Sequence, residues 1–151
     1  MKIEIDQSGK IEHTSRPTVV AFSNKESNVL VILAKDKKAV QKYFRKIGKP
    51  KLFIYFTFMV LVYYLIENHL KKYDQIIIDR EYPGYEKLIS RTLKQWIKDS
   101  IAVTIAQIGK KSRAHDLAWK ELKSRTHQNT SKINSNKIIK FLRVNLKSGS
   151  V

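Results

Sequence analysis

From Leu52 to Ile66 the chain is apolar except for Thr57, with Lys49 and Lys51 before it and Glu67, His69, Lys71 and Lys72 after it. A membrane-crossing helix needs about 20 predominantly apolar residues, and this run is shorter. Phe53, Tyr55, Phe56 and Phe58 also fall within the run, whereas an interfacial belt keeps its aromatics to the ends. The run is therefore read as a helix buried all round in a globular core, and no stable membrane insertion is expected. Whatever surrounds it has to supply that core.

The remaining segments alternate between short β-rich runs and helical spacing. Lys2–Asp6 reads as a strand, followed by a turn at Gln7-Ser8-Gly9-Lys10. Thr18–Phe22 and Val29–Leu33 are further strands, and the three together read as an antiparallel meander. Asp36–Ile47 has helical spacing through Val40, Phe44 and Ile47, with Gly48 to end it and Pro50 to open the long apolar helix, about Lys51–Tyr73. Gln75–Asp79 carries Ile76, Ile77 and Ile78 without alternation, as expected of a strand covered on both faces. Tyr85–Asp99 is an amphipathic helix, and Ile101–Ile108 a fifth strand. Ser112 is the expected N-cap of a helix through Arg125 that buries Ala114, Leu117, Ala118 and Leu122.

His127–Asn136 is polar and reads as a connector. Lys137–Leu146 reads as a basic amphipathic segment and Lys147–Val151 as a disordered tail. The expected organisation is thus one domain over residues 1–126, with a connector and basic segment over 127–151. Its fold class is α/β: a mixed five-stranded sheet, meander plus two parallel strands joined by a right-handed crossover, flanked by helices.

Charge narrows the partners. Thirty Lys+Arg against 13 Asp+Glu give the 151-residue chain a formal net charge of +17, which favours a polyanion such as nucleic acid. The absence of cysteine excludes disulfides, thiolate metal sites and thiol nucleophiles. Because the N-terminus Met1–Asp6 has no hydrophobic signal segment, a cytoplasmic protein is the expectation.

Three aspartates stand out. Asp6 and Asp79 each end a β-branched run, and Asp116 sits near the start of the helix after Ser112. In a sheet of this topology ligands gather at the carboxyl ends of strands, where Asp6 and Asp79 lie. Two carboxylates side by side are unfavourable unless a cation compensates, and an oxygen-only ligand set suits Mg²⁺ or Mn²⁺. Each acid also has a structural role open to it: an Asx turn for Asp6, an ion pair or turn cap for Asp79, a helix-dipole contact for Asp116.

Asp6 in Ile-Asp-Gln-Ser-Gly, Asp79 after Ile-Ile-Ile and Asp116 in Ala-His-Asp-Leu-Ala, set in this element order, resemble the ribonuclease H-like nuclease superfamily, which includes ribonuclease H, RuvC-type resolvases and retroviral-type integrases. The likeness covers roughly residues 1–126. It implies a ribonuclease H-like fold and metal ligands at Asp6, Asp79 and Asp116. It also makes His115 a contact to phosphate or a proton relay. The implied activity is divalent-metal-dependent hydrolysis of phosphodiester bonds by an endonuclease, with Mg²⁺ or Mn²⁺ as cofactor. For a resolvase-type member the implied assembly is a homodimer. The pattern departs from the family in two places. Ribonuclease H proper has a glutamate early in its first long helix, where Lys51–Ile66 holds no acid, and Glu81 is the only nearby replacement. Resolvases often carry two acids on the last helix, and here the second, Glu121, lies more than a turn from Asp116.

Basic residues fall into two sets, Lys37, Lys38, Lys42, Arg45 and Lys46 in one helix and Lys110, Lys111, Arg113, Lys120 and Lys123 around the other. Both are expected to contact the nucleic-acid backbone, which positions a strand without specifying bases. Trp119 is expected to seal its helix against the core, with base stacking the alternative. The leading expectation is a metal-dependent nuclease. The runner-up is a non-catalytic nucleic-acid-binding protein on the same fold.

Overall fold

A computed structural model of the protein describes residues 1–97, 100–124 and 126–146. The helix ends expected at Asp99 and Arg125, and the tail at 147–151, lie outside them.

The chain runs β1 (Lys2–Ser8), β2 (Thr18–Ser23), β3 (Ser27–Ile32), α1 (Ala34–Lys46), α2 (Phe53–Ile66), β4 (Gln75–Asp79), α3 (Glu86–Ile97), β5 (Ala102–Ala106), α4 (Arg113–Lys123), β6 (Ser131–Lys132) and α5 (Ser135–Asn145). Its six-stranded sheet has the order β5-β4-β1-β2-β3-β6. The pairs β1–β2 and β2–β3 are antiparallel, and β1–β4, β4–β5 and β3–β6 are parallel. The protein is therefore α/β, with a mixed sheet flanked by five helices among the described residues.

The period-two alternation of strand side chains divides the interior into two layers. Ile3, Ile5, Val20, Phe22, Leu30, Ile32, Ile76 and Ile78 point to the side covered by α1, α2, α3 and α5. The opposite side is smaller: Val19, Ala21 and Val31 meet Leu117, Ala118 and Leu122 of α4. Helix α2 fills the larger layer, burying Phe53, Phe56, Phe58–Val62, Leu65 and Ile66, whereas Ile54, Tyr55, Tyr63 and Tyr64 are only half-buried, so the helix is not covered on every side as expected. Each fully buried Phe, Ile or Leu contributes about 1.5–3 kcal/mol of apolar transfer energy. No helix among the described residues is long and apolar enough to cross a membrane.

Local signals set several boundaries. Gly48 takes φ +76°, left-handed backbone that ends α1 as its N–H returns to the carbonyl of Arg45. Pro50 opens a 3₁₀ turn that leads into α2. The Ser112 side chain accepts from the Ala114 N–H at 3.2 Å, the N-cap expected of α4.

The C-terminal segment differs from its expected role as a connector and separate basic segment. Ser131 and Lys132 add the sixth strand beside β3. Ile133, Ile138 and Leu142 are buried in the larger core, and the Ser135 N–H donates to the Asp36 carboxylate at 2.9 Å. The polar appearance of 127–136 hid this because a two-residue strand needs only backbone groups to pair. The apolar stripe of α5 could find its core only in three dimensions.

Candidate functional site

The site forms where β1 and β4 end side by side. Their parallel register pairs Glu4 with Ile77 and Ile5 with Ile78, so Asp6 and Asp79 follow on adjacent strands. Asp6 also stands opposite Ala21 of β2, on the side of the sheet that carries α4. The Arg80 N–H still bonds the Ala106 carbonyl, which keeps the chain extended past β4. Extended backbone turns residues i and i+2 to one side, and Glu81 therefore joins Asp79. Carboxylate oxygens of Asp6, Asp79 and Glu81 lie within 4.8 Å of one another.

Each acid has a distinct environment. Asp6 is only 3% exposed. Its Oδ1 accepts the Gln7 N–H at 2.8 Å and its Oδ2 lies 2.7 Å from His115 Nδ1. Burial raises the Asp6 pKa and Asp79 adds to the rise, while the Gln7 N–H and His115 oppose it. Asp79 Oδ1 accepts the Ile108 N–H at 2.9 Å, which anchors the loop after β5 to the end of β4. Glu81 bears the heaviest penalty. Desolvation first, then the charges of Asp6 and Asp79, push its carboxyl up to about 8. Near neutral pH the site therefore keeps a proton on Glu81, the hydroxyl of which can donate to either aspartate. The neighbouring Tyr82 is held by a 3.0 Å hydrogen bond from Gln7 Nε2, which ties the loop carrying Glu81 back to β1.

Three site residues expected from the sequence meet here: Asp6, Asp79 and His115. The fourth does not. Asp116 is exposed and stands outside the carboxylate group. The reason is helical geometry, because successive residues differ by about 100° and His115 already takes the flank facing Asp6. Glu81 stands with Asp6 and Asp79 instead, the residue read from the sequence as the replacement for the glutamate absent from Lys51–Ile66. Glu121 turns to His127 and Thr130 and is likewise elsewhere.

The basic residues divide in the same way. Lys38, Lys42, Arg45 and Lys46 are exposed on α1, in the layer across the sheet from the acids. Lys37, expected to contact nucleic acid, is fully buried. Its Nζ donates to the carbonyls of Lys10 (3.1 Å) and His13 (2.7 Å) and to Thr18 Oγ1 (3.0 Å). Desolvation lowers its pKa to about 8. The long side chain found acceptors in the β1–β2 loop that no helical spacing could announce. Lys110, Lys111, Arg113, Lys120 and Lys123 are exposed on or beside α4, the helix that contributes His115.

Two hollows lie at the ends of α4. One, of about 330 Å³, is lined by Lys2, Glu4, Asn24, Lys111 and Arg113 among others. The other, also about 330 Å³, is lined by Lys10, His13, Arg16, Leu122 and Lys123 with Gly9 and Pro17. Trp119 does not seal α4 against the core: it is 46% exposed, with Lys123 Nζ 3.6 Å from its ring centroid. The buried face of α4 is taken by Ala114 and Ala118, with Leu117 and Leu122 packed beside them, and Trp119 lies off that face.

Comparison with known proteins assigns no family, as no family model and no curated protein matches the chain.

Proposed function

We propose that the protein is a divalent-metal-dependent nuclease that hydrolyses phosphodiester bonds, with a ribonuclease H-like arrangement of its sheet and acids. The single observation that carries this reading is the convergence of Asp6, Asp79 and Glu81 within 4.8 Å on a strongly basic chain. The strand order β5-β4-β1-β2-β3, an antiparallel meander with two parallel strands beside β1, agrees with the expected fold and supports the same reading.

The donor set fits a hard cation. Three oxygen ligands without thiol or thioether suit Mg²⁺ or Mn²⁺, which would offset the desolvation and the mutual repulsion that together raise the Glu81 carboxyl. Asp6, Asp79 and Glu81 would hold it. Such an ion, when bound, supplies Lewis-acid polarisation of the phosphate and activation of water.

The chain's own groups do the rest. Hydrogen bonds from the Gln7 and Ile108 amides fix Asp6 and Asp79, so neither has to reorganise when substrate arrives. His115 is oriented by Asp6 through Nδ1 and its side chain is 35% exposed, so Nε2 is the ring nitrogen left for an incoming phosphate. There it can donate to a phosphate oxygen or return a proton to the leaving alkoxide. Lys111 and Arg113 provide the positive field that brings the backbone to the acids.

The test incubates the purified chain with single-stranded, duplex and hybrid oligonucleotides in Mg²⁺ or Mn²⁺, beside Asp6→Asn and Asp79→Asn. Cleavage lost in both variants, by a hundredfold or more, supports the enzyme. Loss of a charge-stabilising contact worth several kcal/mol implies a drop of that size. Salt-sensitive binding with no cleavage by any form would instead make the protein a non-catalytic nucleic-acid binder.

A further inference from the structure

Trp119 is a large apolar side chain left in solvent on a helix otherwise covered with charge. Counting about 100° per residue, His115 and Trp119 lie about 40° apart on α4, with a rise of about 6 Å between them. The indole thus sits on the flank of α4 that faces the acids, one turn beyond the histidine bonded to Asp6. Lys123 follows another turn on, its ammonium against the indole. The hollow beside it is lined by Lys10, His13, Arg16 and Lys123, without a single acid. At the other end of the helix stands the hollow with Lys2, Lys111 and Arg113 against the single acid Glu4. Cationic hollows therefore lie on both sides of the acidic group, about 15 Å apart along the helix from residue 113 to 123.

We infer that the His115–Trp119–Lys123 flank of α4 is a track for single-stranded nucleic acid, with Trp119 the stacking platform for an unpaired base beside the scissile phosphate. Phosphate attraction alone would need only the basic residues. An exposed indole adds a surface that recognises a base with an open face, and bases inside a duplex have both faces occupied by their neighbours. Charge complementarity argues for the same occupant, because Asp116 is the only acid among the exposed residues of α4 against Arg113, Lys120 and Lys123. The inference deepens the nuclease reading by naming its substrate class, and it rests on that reading only for the word scissile.

Binding in EDTA separates the two. Fluorescence anisotropy is read with a labelled 12-nucleotide single strand and the matching duplex at equal salt, using the full chain. Single strand binds at least tenfold tighter than duplex. Trp119→Ala weakens single-strand binding by roughly five- to 150-fold, as the loss of one stacked base implies, and leaves duplex binding unchanged. Trp119→Phe restores most of the loss, which a merely structural role would not require. Lys123→Ala lowers the salt slope of binding by about one. Unchanged single-strand binding in Trp119→Ala, or duplex binding as tight as single-strand binding, overturns the track. If the binding pattern holds and no form cleaves, the track stands and the nuclease reading falls. If acid-dependent cleavage is found while Trp119→Ala binds as the natural chain does, the track falls alone.

Discussion

Replacing Glu81 by glutamine is expected to stabilise the metal-free protein at neutral pH, the reverse of what removing a charged group usually does. The Glu81 carboxyl has its ordinary value of 4.5 when unfolded and about 8 in the folded chain. A raised carboxyl pKa means that the folded state holds the proton more tightly, so stability is fully present below pH 4.5 and declines as pH rises toward 8. At about 1.36 kcal/mol per pH unit, the penalty reaches about 3 kcal/mol at pH 7 and levels off near 5 kcal/mol above pH 8. Glutamine has the shape of the protonated acid and can still donate to Asp6 or Asp79, but it cannot ionise. Glu81→Gln is therefore worth up to about 3 kcal/mol at pH 7 in EDTA, and nothing at pH 4. For a chain of this length each kcal/mol moves the Tm by about 2–4 °C, so the variant should melt roughly 6–12 °C higher at pH 7. Thermal melts of both forms between pH 4 and 8.5 give the difference curve directly. Added Mn²⁺ should then raise the Tm of the natural chain more than that of the variant, because a cation relieves a repulsion the variant lacks. A variant that melts lower at pH 7, or a difference that stays flat across the pH range, refutes the reasoning.

Three further outcomes follow from the geometry. Asp116→Ala should leave divalent-ion binding and any cleavage unchanged and cost only about 0.3–1 kcal/mol of helix-dipole stabilisation, read by urea denaturation; a large loss of ion-induced Tm shift would return Asp116 to the site. Lys37→Ala removes a buried side chain with three hydrogen-bonded acceptors and should cost about 3 kcal/mol or more, with the β1–β2 loop losing amide protection in hydrogen exchange. Gly9→Ala should destabilise by more than about 1 kcal/mol in chemical denaturation. Gly9 has φ +79°, and a Cβ there would come within 2.7 Å of the Pro17 carbonyl oxygen; a neutral effect would mean that the turn relaxes freely.

Much of the architecture is written in local pattern. The apolar surface of Phe53–Ile66, interrupted only by Thr57, could be satisfied only by burial of most of the helix, and alternation in Ile3/Ile5 against Glu4/Asp6 fixed which residues of β1 face which layer. Ser112, Gly48 and Pro50 marked helix ends through backbone chemistry that acts within a few residues. These signals are legible because their causes are near in sequence. Charged residues behave otherwise. The sequence named Lys37 and Asp116 for surface and site, and folding exchanged their fates, since a lysine long enough to reach the carbonyls of residues 10 and 13 is buried while an aspartate 100° past His115 on α4 meets only solvent. The short strand at Ser131–Lys132 depends on an edge of β3 that exists only once the sheet has formed. Glu81 became a site residue through the pairing of β1 with β4, which brings carboxyl groups more than seventy positions apart in the chain within 4.8 Å. Chain chemistry alone determined the layers and their periodicity, because burial of apolar surface is decided one side chain at a time. Which acids share a pocket, and which carries the proton, was decided only by tertiary structure, because electrostatic coupling depends on distance through space.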